Sequence, residues 1–260
     1  MIDRVSSRSS TARTAQAQGP DTTWHRGQPL SEARNAHRTN TKEQFQDALK
    51  SNANWFEGDI RLEIDGSGIE MRHDKQHESG DNLTLNEWLT MGKASGRGLK
   101  LDVKEPEHMA AILQEIKKVG IPEERLMLNL GFDAMNQWGA EIRRQFPNAT
   151  LAINPPTDGK VGAAEARKMV EQAKKFGDPV NFVVRYDKLS DEAIREFQKH
   201  PGASISVWGS GVNDVGATTE QLKRRGVNGM IDLAGGHGKG PDDYLKDGFN
   251  WVRTGLDKWL

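Results

Sequence analysis

"RLMLNLGFDAMNQWGAEIRRQFPNATLAIN", residues 125–154, is the stretch on which the fold turns. Two short β-rich runs, 125–130 and 150–154, bracket a helical pattern at 134–145. An apolar strand, a crossover helix and a second apolar strand make a βαβ unit, and such units build parallel sheets. The rhythm extends both ways. Upstream stand "WFEGDIRL" (55–62) and "GLKLDV" (98–103). Downstream come "NFVVRY" (181–186), "SISVWG" (204–209) and "NGMIDL" (228–233). Helical patterns fill the intervals at 42–52, 107–118, 163–176, 190–199 and 218–225, with a last one near 241–254. Gly120, Gly177 and Gly226 stand where helices end, and Ser190 with Asp191 and Glu192 suits a helix start. Eight such units over residues 31–260 predict an α/β fold, a single (β/α)8 TIM barrel. The first strand is placed within 30–37, although "LSEARNAH" is poorly apolar. Residues 63–97 read as a long loop excursion after strand 2 that shapes the substrate entrance.

Composition narrows the function. Of 260 residues, 35% are hydrophobic and 28% charged, enough apolar mass for a sizeable core. A formal net charge of −1 argues against a nucleic-acid or membrane-surface partner. With no cysteine, thiolate catalysis and Cys-ligated zinc are excluded. No apolar run approaches the roughly 20 residues of a membrane span, so no integral membrane segment is expected. Residues 1–30, rich in Ser, Thr, Arg and Gln, read as a disordered leader. Transit peptides and the loosely defined export signals of bacterial type III effectors share that composition. Without a classical signal peptide, a cytoplasmic or an exported location stays open.

In a TIM barrel, function collects where strands give way to βα loops. His37 and Asn40 follow the expected first strand, and Glu57 and Asp59 lie on the second. The excursion brings in His73 and Asp74; the third strand carries Lys100, Asp102 and Lys104. Asn129, Asn154, Arg185, Trp208 and Asp232 end the rest. Spaced two apart on a strand, Glu57 and Asp59 both face the barrel interior. With Asp102 from the neighbouring strand they form an oxygen site suited to Mg²⁺ or Ca²⁺. A hard cation among two histidines, two lysines and an arginine suits a phosphate ester, with the histidines as base and acid.

These residues carry a resemblance. "NTKEQFQDALKSNANWFEGDIRL" followed by "GSGIEMRHD" resembles the glycerophosphodiester phosphodiesterase superfamily, as does "VWGSGVNDVGATTEQLKRRGVNGMIDL". Within that superfamily of barrels the set is most similar to the menorin family. It comprises His-x-x-Asn-Thr, "DNLTLNEWL", "GLKLDVKEP", "LMLNLGF", "FPNATLAINPP", "FVVR" and "SVWGSG", in order over about residues 37–233. The sphingomyelinase D branch shares the His-x-x-Asn spacing and the Asp-x-Lys strand. The resemblance implies His37 and His73 as catalytic histidines and Glu57, Asp59 and Asp102 as ligands of a divalent metal. It also implies Lys104 beside the phosphate and Trp208 as an aromatic wall. Asn40, Asn129 and Arg185 match positions suited to polar substrate contacts. His25-Arg26-Gly27 mimics a His-Arg-Gly triplet of the wider superfamily. It belongs to the leader, however, and His25 lies fifteen positions before Asn40, against three for His37.

The expectation is a metal-dependent phosphodiesterase acting on a glycerophosphodiester or lysophospholipid. Cleavage would run by hydrolysis or by internal transfer to a cyclic phosphate. The rival is a catalytically silent barrel that binds a ligand or a protein, such as a host protein if the chain is exported. His77 and "GGHGKG" (235–240) are set aside, the first as a solvated loop residue, the second for lacking phosphate-loop spacing.

Overall fold

The computed structural model describes residues 21–63, 66, 68–75 and 81–235. Along them run β1 (Asn35–Ala36), α1 (Lys42–Lys50), β2 (Trp55–Leu62), β3 (Ile69–Met71), α2 (Leu85–Ser95) and β4 (Gly98–Val103). Next come α3 (Met109–Val119), β5 (Leu126–Leu130), α4 (Phe132–Gln145), β6 (Thr150–Ile153) and α5 (Ala163–Phe176). The series ends with β7 (Val180–Arg185), α6 (Asp191–Phe197), β8 (Ser204–Val212), α7 (Val215–Arg225) and β9 (Ile231–Gly235).

Eight of these strands are parallel, in the order β1-β2-β4-β5-β6-β7-β8-β9, while β3 folds back antiparallel on β2. The outermost strands meet through side chains, Asn35 Nδ2 donating to Asp232 Oδ2 at 2.8 Å. The result is a nearly closed barrel. No described helix is long and apolar enough to cross a membrane.

Period-two alternation explains the layers. On β2, Phe56 and Ile60 face outward into the main core with Phe45, Trp88 and Leu89. Trp55, Glu57 and Asp59 face inward. Trp55 joins Met127, Ala152, Val183 and Met230 in a separate apolar cluster that fills the barrel floor. Gly98 is required there, since a Cβ on it would lie 2.2 Å from the Trp55 ring.

Several boundaries differ from the expected ones. The first strand shrinks to two residues because only Asn35 and Ala36 pair with β2. The last strand begins at Ile231 rather than at 228. The excursion is more than a loop: it holds β3 and a full crossover helix, α2. Thr84 and Glu87 form a capping box at the start of α2, and Gly96 caps its end at φ 74°. The packed body also starts earlier than residue 31. Trp24 is 4% exposed and meets Trp55 edge-on at 5.1 Å, sealing the floor with its indole. Its backbone N–H donates to Gly96 just before β4, so neighbouring His25 lies at the N-terminal end, away from the strand ends. Residues 1–20, the helix expected near 241–254, His77 and most of "GGHGKG" lie outside the described residues.

Candidate active site

The site is built first by the turn between β1 and α1. Arg38 takes φ 54°, the one positive value at a non-glycine among the described residues. That left-handed turn aims the Arg38 N–H at Glu57 Oε2, 2.7 Å away. Thr39 donates to the Glu57 carbonyl through both its N–H and its hydroxyl. From outside, Trp88 Nε1 donates to the Thr39 carbonyl at 2.7 Å. The segment carrying His37, Arg38 and Asn40 is thus fixed to β2 and backed by α2.

Three carboxylates face one another inside. One oxygen each from Glu57, Asp59 and Asp102 lies within 4.8 Å of the others. Asp59 and Asp102 are register partners on β2 and β4. Each is oriented by an amide. Asn40 Nδ2 donates to Asp59 Oδ2 at 3.0 Å, while the Asp59 N–H donates to Asn40 Oδ1 at 2.9 Å. Asn129 Nδ2 donates to Asp102 Oδ1 at 2.9 Å, and Asn154 Nδ2 in turn to Asn129 Oδ1 at 3.1 Å. Lys104 bridges the pair, its ammonium 2.9 Å from Asp59 Oδ1 and 2.6 Å from Asp102 Oδ2.

Two histidines flank the cluster, each against a carboxylate. His37 Nδ1 lies 2.8 Å from Asp232 Oδ2 and 3.8 Å from Glu57 Oε2. His73 Nδ1 lies 2.7 Å from Asp74 Oδ1. An Arg38 guanidinium nitrogen stands 2.9 Å from His73 Nε2. Since a guanidinium can only donate, Nε2 is the acceptor and the His73 proton sits on Nδ1, facing Asp74. The loop bearing His73 is pinned by Arg61 Nε, which donates to the His73 carbonyl at 2.9 Å, and by Arg72, which donates to the Asp74 carbonyl.

Neighbouring charges set the protonation of His37 and of the carboxylates around it. Burial disfavours a charged His37, but the Glu57 and Asp232 carboxylates outweigh it and raise the pKa from 6.5 to about 9. Burial raises Glu57, against the pull of His37. Asp59 is lowered: burial opposes its charge, yet the Lys104 ammonium and the Asn40 hydrogen bond prevail. Lys104 is raised, its burial overcome by Asp102 and Asp59. Asp232 is lowered despite burial because His37 faces it.

The expected residues therefore converge, though not all at the surface. His37, His73, Glu57, Asp59, Asp102 and Lys104 form one constellation at the strand ends. Asn40 is fully buried and Asn129 is 4% exposed, both behind carboxylates they orient. Lys100 is buried inside, in register with Glu57. Arg185 and Trp208 are register partners on the rim, Trp208 being 42% exposed and Arg185 paired with Asp187 at 2.9 Å. Two residues gain roles that sequence alone did not assign, Arg38 and Asp232. Asp232 was visible as a strand-end carboxylate; its partner His37 is 195 positions away.

The Menorin N-terminal domain model matches residues 30–225. The chain belongs to the menorin family. The matched segment holds every residue of this constellation except Asp232. Over 108 residues this menorin chain is 37% identical to human protein FAM151B. That match covers 38% of the chain and 34% of FAM151B, so it spans about a third of the relative's length. Among solved structures, a glycerophosphoryl diester phosphodiesterase from Silicibacter pomeroyi DSS-3 superposes with a TM-score of 0.57 at 17% identity, covering 80% of this chain and 91% of that one. A glycerophosphodiester phosphodiesterase from Parabacteroides distasonis ATCC 8503 gives 0.52 at 17% identity, covering 88% and 99%. At such identities the likeness establishes a shared barrel.

Proposed function

We propose that this menorin chain is a divalent-metal-dependent phosphodiesterase that cleaves a glycerophosphodiester or a lysophospholipid by paired-histidine acid–base catalysis. One observation carries the reading: two histidines, each held by its own carboxylate, flank a three-carboxylate cluster at the strand ends.

The donor set fits Mg²⁺ or Ca²⁺. All three ligand atoms are hard carboxylate oxygens close enough to share one cation, and buried Asp59 Oδ1 makes no hydrogen bond beyond its ion pair with Lys104. Glu57, Asp59 and Asp102 would hold the ion, which when bound supplies Lewis-acid polarisation of the phosphoryl oxygens. Asn40 and Asn129 keep two of those carboxylates turned inward.

The rings divide the labour by protonation. His37 carries its proton at neutral pH and acts as the acid, protonating the leaving oxygen through Nε2 while Nδ1 stays on Asp232. His73 offers an unprotonated Nε2 and acts as the base, with Asp74 steadying Nδ1–H. Arg38 must leave Nε2 for that step, which frees its guanidinium for a phosphoryl oxygen. The nucleophile is water, giving hydrolysis, or a substrate hydroxyl, giving a cyclic phosphate.

Glycerophosphodiesters, lysophospholipids and an aryl phosphodiester should be screened with Mg²⁺ and with Ca²⁺, alongside His37→Ala and His73→Ala. Turnover that both substitutions abolish supports the assignment. Inactivity on every ester, or calorimetric metal binding unaffected by Glu57→Gln, Asp59→Asn and Asp102→Asn, would overturn it.

A further inference from the structure

Below the carboxylate cluster, Lys100 projects from β4 into the barrel, in register with Glu57 and two residues before Asp102. It is only 6% exposed, yet among the described residues its ammonium makes neither an ion pair nor a hydrogen bond. An ammonium set this deep without a hydrogen-bond acceptor is incompletely satisfied, and an incoming oxygen would complete it. Its charge acts on Glu57, His37 and Asp232, and it shares a cavity wall with Asp232.

The small cavity beside it is bordered by Asn181, Ser206, Asp232 and Trp208. Three of these have their partners already. Asn181 Oδ1 accepts from the hydroxyls of Ser204 and Ser206, at 3.0 and 2.8 Å. Ser206 Oγ also accepts from the Met230 N–H at 2.8 Å. Asp232 Oδ2 takes Asn35 and His37. Among the described residues, Lys100 is therefore the one cationic group on the cavity wall, with donors that no neighbour takes up. The other cations of the mouth are engaged: Lys104 by Asp59 and Asp102, Arg185 by Asp187, Arg38 by His73.

We infer that Lys100 is an anion-binding residue of the barrel centre, its ammonium receiving an oxygen of a phosphoryl group that enters beside Trp208. This deepens the phosphodiesterase reading. It also differs from it in one testable respect: the contact belongs to the protein and needs no metal. A neutral guest would supply an acceptor alone, whereas a phosphoryl oxygen supplies both the acceptor and the charge.

Inorganic phosphate is the probe, titrated into the full chain with chelator present and followed by calorimetry. Lysine labelled at Nζ and Cε reports on the same titration by NMR, with Lys100→Arg identifying the Lys100 signal by its disappearance. Saturable phosphate binding that moves the Lys100 signal, and that Lys100→Met weakens about tenfold or more, is the expected result. Lys100→Arg should retain it. No binding by the wild type, or binding that leaves the Lys100 signal still, overturns the inference. If Lys100→Met does not fold, the labelled wild type still decides. Phosphate binding without ester turnover keeps this inference and sinks the enzyme reading. Turnover in a protein that binds no phosphate without metal does the reverse.

Discussion

The two ends of this barrel are made from the same strands and do opposite things. On β2 the inward series runs Trp55, Glu57, Asp59, passing from aromatic to ionised within five residues. At the floor, Trp55 packs on Trp24 with Met127, Ala152, Val183 and Met230, and apolar contact dominates. At the mouth, every inward group from Glu57 upward on β2 is charged and tied to a partner. One end supplies stability through area removed from water; the other stores charge that folding alone would not favour. A barrel can afford such a mouth because its floor and outer helices carry the fold.

The comparison breaks first at Trp55. Trp55→Ala removes a side chain only 1% exposed and should lower unfolding free energy by about 3–5 kcal/mol. Urea denaturation measures it, while turnover per folded molecule should hold. A floor that tolerates the change would mean the stability lies elsewhere. The mirror experiment is His73→Gln. His73 is 29% exposed by side chain and lies on a short loop, so the urea midpoint should stay put. Turnover should fall about 10²–10³-fold in steady-state assays.

The same contrast explains what could be read in advance. Glu57 and Asp59 declared themselves because carboxylates two apart on an apolar strand have no structural excuse. Asn40 was visible by spacing from His37, but its commitment to Asp59 depends on strand pairing. The helix α2 carried its own signals in Thr84, Glu87 and Gly96. The β3 hairpin before it interrupts the βα rhythm, so those signals fell within an apparent loop. Trp24 is a lone aromatic in a polar stretch and acquires meaning only once Trp55 lies above it. Arg38 and Asp232 owe their roles to a left-handed turn and to barrel closure, neither of which is a local property of sequence.

Asn40→Ala sharpens the comparison at the boundary between the ends. Asn40 touches no solvent, like a floor residue, yet both its amide atoms serve Asp59. Its loss should weaken Mg²⁺ or Ca²⁺ binding about 10–100-fold by calorimetry, as the removal of a hydrogen-bonded support for a ligand does. A stability loss without an affinity loss would class Asn40 with the floor.

The smallest effect separates the ends by pH. The floor cluster holds no titratable group, so its contribution is level, whereas His37 titrates between its ordinary 6.5 and the folded value of about 9. The folded protein keeps a proton that the unfolded chain releases first. That stabilisation is therefore complete below about pH 6.5 and is lost as pH rises through about 9. With the side chain 40% exposed, solvent screening keeps the slope shallow. Urea midpoints taken in chelator across this window should fall with pH in the wild type. Asp232→Asn removes one of the two carboxylates holding the proton, so its decline should be smaller and should finish at lower pH. Trp55→Ala should start lower overall and keep the wild-type slope. Parallel curves for wild type and Asp232→Asn would cut the link between His37 and Asp232, and with it the assignment of His37 as the acid.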